Sequence, residues 1–157
     1  MKSKIEIELF EEHEKVNYYT LRFSGEDTEI EKFFDKFPGN SDFDEDINII
    51  IKWIDTIGEK GALERYFRPE GKYKDRIFAI PIETCKIRLY VLRLSENIVI
   101  LGNGGVKKTA TYNEDSTLSK CVNLLQKIDF FIKREISKEQ ITIYGKTIFG
   151  NTTLYLD

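Results

Sequence analysis

One histidine, two cysteines, three prolines and one tryptophan are all that 157 residues contain of these types. A zinc site built from His and Cys clusters is therefore close to excluded, as is most acid–base catalysis by histidine. Cys85 and Cys121 fit a reduced, cytoplasmic protein better than a disulfide scaffold. No aliphatic run exceeds Ile98-Val99-Ile100-Leu101. A membrane-spanning helix needs about 20 apolar residues, so no membrane partner is expected. Met1 to Glu6 alternate charged and apolar side chains, without the apolar block of a signal peptide. No residue set calls for a cofactor or a metal.

What is present suits a folded α+β chain. Hydrophobic residues make up 41% and charged residues 32%, enough for a packed core. The net charge of −3 conceals an asymmetry. Residues 1–58 carry 7 basic and 15 acidic side chains, residues 59–111 carry 11 and 6, and residues 112–157 carry 6 of each. One section is thus poised to meet an anion, and another to meet a cation or shield the first. Acidic surface that merely solubilises gives the same asymmetry.

The patterns divide the chain. Ile5, Ile7 and Leu9 alternate with Glu6 and Glu8, which predicts a strand over 4–10. Residues 15–23 read as its hairpin partner. Ile30, Phe33, Phe34 and Phe37 predict a helix over 28–37, with Asp27 or Thr28 as N-cap. Asp42 and Glu45 resemble a capping box for a second helix, whose apolar face Ile47 to Ile57 stops at Gly58. Strands are expected at 76–82, 86–94 and 97–101, the last two joined by a Ser95-Glu96 turn. On the middle strand Lys86, Arg88 and Tyr90 share one face, and Ile87, Leu89 and Val91 the other. Gly102-Asn103-Gly104-Gly105 reads as a turn at a strand end. A long helix is expected at 116–134, then short strands over 140–149 and 152–156. The order argues for one α+β domain with an antiparallel sheet: an acidic ββαα part over 1–58, a basic core over 59–135 and a C-terminal extension over 136–157.

Most short motifs have ordinary readings. IVILGNGGVKKT suggests a P-loop, but Val106 and Lys107 stand where a glycine should precede Lys108, and no helix opens directly after it. His13 sits in the acidic run EEHE, where a solvated role is expected. Asp42, Asp44, Glu45 and Asp46 complement a helix N-terminus and lack the spacing of a calcium loop. The basic constellation carries more. Arg65, Arg68, Lys72, Lys74, Arg76, Lys86, Arg88, Arg93, Lys107 and Lys108 fall within 44 residues, interleaved with Tyr66, Phe67, Tyr73, Tyr90 and Tyr112. Cations that contact phosphate and rings that stack on bases are the ingredients of single-stranded RNA binding.

Arg88-Leu89-Tyr90, the short turn, Ile98 to Leu101, Lys107-Lys108-Thr109 and the helix from Ser116 together resemble the central part of the RelE/ParE toxin superfamily, closest to its HigB-type branch. The resemblance covers about residues 60–135. It implies an antiparallel RelE-like sheet packed on helices, with the N-terminal hairpin and C-terminal strands as additions. It further implies a toxin of a type II toxin–antitoxin pair that cleaves mRNA, freely or on the ribosome, by attack of the RNA 2′-OH on its own phosphate without a metal. Arg88, Lys107, Lys108, Tyr90 and Tyr112 are then the expected catalytic residues, with Arg68, Lys72, Lys74, Arg76 and Lys86 binding RNA. The implied partners are RNA and a helix-turn-helix antitoxin. Two alternatives stand beside this reading: a catalytically inactive RelE-like protein that docks a protein partner, and a small RNA-binding domain.

Overall fold

The computed structural model describes residues 2–39, 42–69, 76–80, 86–107 and 115–157. The first hairpin pairs β1 (Ser3–Glu12) with β2 (Asn17–Phe23). α1 (Glu29–Asp35) and α2 (Asp44–Lys60) follow, then a 3₁₀ turn at Glu64–Tyr66. β3 (Arg68–Pro69), β4 (Ile77–Ile80), β5 (Ile87–Arg93) and β6 (Ile98–Val106) form an antiparallel meander. After α3 (Ser116–Ser137) come β7 (Ile141–Tyr144), β8 (Thr147–Gly150) and β9 (Thr153–Leu156). The expected βββα order over the middle of the chain is present, with α3 packed on β4, β5 and β6.

The sheet is mixed rather than antiparallel. Its order is β3-β4-β5-β6-β2-β1-β9, and β2 runs parallel to β6 from the Asn17–Ile98 pair to the Thr20–Leu101 pair. The N-terminal hairpin therefore lies inside the sheet. β9 extends the same sheet beyond β1, while β7 and β8 form a separate small hairpin. Apolar side chains cover both faces. Ile5, Leu21, Tyr90, Leu92 and Ile100 pack under α3. Val16, Tyr18, Leu89, Val91 and Val99 pack under α1 and α2. Strands buried on both faces need apolar residues at consecutive positions, which is why β5 and β6 read as continuous apolar runs.

Several local expectations change for physical reasons. A bulge between Leu9 and Glu11 breaks the alternation of β1, so Leu9 is turned out to solvent and Phe10 packs with the α1–α2 side. α1 is capped by Thr28, whose hydroxyl accepts from Glu31 N–H while the Glu31 carboxylate accepts from Thr28 N–H. The box expected at Asp42 does not form: Phe43 is the N-cap of α2 and supplies no side-chain bond. Nor does Gly58 stop α2, which continues to Lys60 and ends at Gly61 with φ 102°. Gly58 instead makes room for His13, whose ring would lie 2.5 Å from a Cβ at that position. That ring also meets Tyr18 edge-on at 5.2 Å and bonds Glu11 at 2.9 Å, so His13 is packed against α2 rather than freely solvated. The β5–β6 connection has four residues, Leu94 to Asn97, rather than two.

The Tyr18 hydroxyl donates to the Ile54 carbonyl at 2.7 Å in a buried seam between β2 and α2. Burial, helped by the negative charges of Glu11 and Asp55, lifts its pKa far above the usual 10.0. The unfolded chain releases this proton first. The stability the hydroxyl contributes is whole below pH 10.0 and falls as pH rises beyond it. Tyr18→Phe should cost about 1 kcal/mol at neutral pH. Urea unfolding repeated near about pH 11 should show a shallower alkaline loss in the variant than in the parent.

Candidate functional site

The basic residues brought together by sequence do not form one patch among the described residues. Arg88 is 4% exposed in β5, with its Nη1 donating to the Ile87 carbonyl at 2.9 Å. Tyr90 follows at 1% exposure, inside the core under α3. Of the three residues expected on one face, Tyr90 packs with the side chains of α3, Arg88 is buried, and Lys86, just before the strand, is exposed. A clamp on an incoming phosphate needs its guanidinium at the surface, and burial opposes that. Arg76 turns to α3 as well: Nε and Nη2 donate to the carboxylate of Asp129, and Nη1 to the Leu94 carbonyl at 3.3 Å. Arg68 is exposed in β3, at one edge of the sheet.

Lys86 and Lys107 do meet. The Lys107 N–H donates to the Lys86 carbonyl at 2.7 Å at the end of the β5–β6 ladder. Beside them Lys86 N–H donates to Asp46 Oδ2 at 2.9 Å, so the acidic start of α2 abuts the basic strand end. Lys36, after α1, reaches the same strand, donating to the Gly104 carbonyl at 2.6 Å and Asn103 Oδ1 at 3.0 Å. Lys72, Lys74, Lys108, Tyr112 and Cys85 lie outside the described residues. Cys121 keeps its thiol: burial pushes its pKa up to about 11, and Sγ donates to the Thr117 carbonyl at 3.3 Å, so thiolate chemistry at neutral pH is suppressed.

The glycine run is not a turn. β6 continues through Gly102, Asn103, Gly104 and Gly105, with a bulge between the Leu89–Gly104 and Val91–Leu101 pairs. A Cβ on Gly104 would lie 1.9 Å from the Arg88 carbonyl oxygen. Gly104 serves close approach of two strands, and no phosphate-binding loop is formed by the run.

A concavity lies elsewhere, in a region the sequence did not single out. It is an open trough of about 1180 Å³ between one flank of α3 and β9. Lys127, Phe130 and Arg134 on α3 and Lys138, its C-cap, recur at three- and four-residue steps and so form one stripe. Phe130 is 67% exposed, a large apolar ring with no place in the core. The Arg134 guanidinium lies 5.9 Å from its centroid and 5.8 Å from that of Phe131. Leu154 and Leu156 form the floor, since β9 turns both toward the core under α3. Lys2 stands at the rim. Two carboxylates border the trough, Asp157 and Glu135; the latter is mostly buried and accepts from Asn151 Nδ2 at 2.9 Å. The signal that marks this trough in the sequence is Phe130 itself. It falls off the apolar stripe of Leu118, Val122, Leu125 and Ile128, with cations three residues before and four after it.

Among the described residues no helix is long and apolar enough to cross a membrane. No protein-family model, curated protein or solved structure matches the chain.

Proposed function

We propose that this protein is a RelE-like binding protein that docks a protein partner through the trough between α3 and β9. The observation that carries the reading is Phe130, held open at the centre of a cationic helix stripe above an apolar floor. Isolated surface apolar residues are ordinary, but a ring set in a concavity with a polar rim has the anatomy of a docking site. The burial of Arg88 and Tyr90 supports binding over cleavage, because two groups expected at a reacting phosphate are withdrawn from the surface. The strand order β4-β5-β6 followed by α3 supports the RelE-like part.

The second reading is an mRNA endonuclease toxin held by an antitoxin. It is favoured by the joined backbones of Lys86 and Lys107 beside Lys36, which place lysines at one sheet end. Induced expression with mapping of RNA 5′ ends separates the two. The binding reading expects unchanged growth and no new ends. Growth arrest with new ends, lost in Lys107→Ala while the protein stays folded, would establish the nuclease instead.

A further inference from the structure

We infer that the trough accepts an extended, acidic segment of another protein, which adds to β9 as an eighth strand. This rests on the docking reading above and names the chemistry of the partner. Among the described residues β9 is the last strand of the sheet and pairs only with β1. Ile7 N–H donates to the Thr152 carbonyl at 2.9 Å, and backbone groups of an antiparallel strand alternate in direction. Leu154 and Leu156 therefore bond toward β1, while Thr153 and Tyr155 turn their backbone groups outward. The Thr153 N–H is taken by Asn151 Oδ1 at 3.2 Å. The Thr153 carbonyl and both backbone groups of Tyr155 are left facing the open edge, a template for one more strand.

The wall of the trough selects what that strand carries. Four cations, Lys2, Lys127, Arg134 and Lys138, face two carboxylates, so the trough is locally positive in a chain of net charge −3. Successive inward side chains of a strand are spaced by about 6.7 Å. Four residues of helix rise about 6 Å, so the steps from Phe130 to Arg134 and from Arg134 to Lys138 nearly match that spacing. A segment with inward residues in the order apolar, acidic, acidic would set its apolar side chain on Phe130 and Leu156 and its carboxylates on Arg134 and Lys138. A single-stranded nucleic acid would use the cations and could stack on Phe130 and Tyr155, the two exposed rings of the trough, but it would leave the strand edge unpaired.

The test uses the full chain and a capped synthetic peptide, Thr-Glu-Thr-Leu-Thr-Glu-Thr-Glu-Thr, with a second peptide carrying Lys for each Glu. Calorimetry at low salt should show binding of the acidic peptide alone, and hydrogen exchange should show new protection at the Tyr155 amide. Arg134→Glu should weaken that binding by about tenfold or more and admit the lysine peptide, as a reversed charge at a complementary interface does. Tyr155→Pro should abolish it, because the lost N–H faces outward and proline is tolerated on such an edge. Absence of binding by the acidic peptide, or binding indifferent to Arg134→Glu, overturns the inference. If a basic or helical peptide binds and Phe130→Ala releases it, the docking reading stands and strand addition falls. If only single-stranded RNA binds through these residues, both fall.

Discussion

Gly104→Ala should be among the most damaging single methyl groups that can be added to this protein. The added carbon would lie 1.9 Å from the Arg88 carbonyl oxygen and 2.9 Å from its carbon. Both are backbone atoms of the neighbouring strand, so no side chain can rotate away. β5 and β6 would have to separate at the centre of the sheet, between the two cores. The expected loss is about 4 kcal/mol or more, at the extreme of single substitutions. The adjacent glycines grade the effect. At Gly102 the nearest atoms are Leu125 Cδ1 and the Tyr90 carbonyl, both at 3.1 Å, so a smaller loss is expected. At Gly105 the nearest is Leu118 Cδ2 at 3.6 Å, an ordinary contact. Urea unfolding of the three alanine variants should rank them in that order. Equal losses at all three would mean that chain entropy, rather than strand approach, governs the run.

Arg76→Ala is the second large effect expected. Asp129 is 1% exposed on the buried face of α3, and Arg76, the residue just before β4, is the partner that reaches it from the sheet. Lys133 also approaches, at 3.1 Å from Oδ2, but its side chain is half exposed. Without Arg76 a buried carboxylate keeps only that solvated partner, and the loss should be about 3 kcal/mol. Arg76 also holds φ at 55°, where a side chain is strained. Arg76→Gly removes the same guanidinium and relieves that strain, so it should be less harmful than alanine by about 1 kcal/mol. Lys133→Ala should cost well under 1 kcal/mol, as exposed ion pairs do. Thermal unfolding of the three variants checks the order. A loss from Lys133→Ala as large as from Arg76→Ala would show that the lysine, not the arginine, neutralises Asp129.

The sequence revealed the elements better than their partners. The Ile5–Ile7 alternation located β1, and the stripe from Leu118 to Ile132 located α3, because both patterns are written within one element. The parallel contact of β2 with β6 is not written that way. Tyr18 to Leu21 and Ile98 to Leu101 are apolar on both faces, which says that each strand is covered twice but not which strand lies alongside. The glycine run was misjudged for a related reason: a glycine demanded by a turn and one demanded by a neighbouring carbonyl look alike until the neighbour is known. Alternation puts Arg88 and Tyr90 on one face of β5. Which face α3 covers depends on the route of the chain between them, so their burial was not legible. Phe130 is legible in principle, as an aromatic residue on the charged side of a helix, but the apolar stripe beside it is the stronger signal.

The seam between β2 and β6 sets an order of events during synthesis. Thr20 bonds the Leu101 carbonyl across 81 residues, and β1 meets β9 only when Thr153–Leu156 exist. The β1–β2 hairpin therefore leaves the ribosome with both long edges bare, and it stays so for most of the time needed to make the chain. Two such nascent hairpins could zip together edge to edge. This stretch is also where Glu6, Glu8, Glu11, Glu12 and Glu14 are concentrated. Like charges brought side by side repel, so these carboxylates oppose edge-to-edge pairing of two such hairpins while the edges that β6 and β9 later occupy are bare.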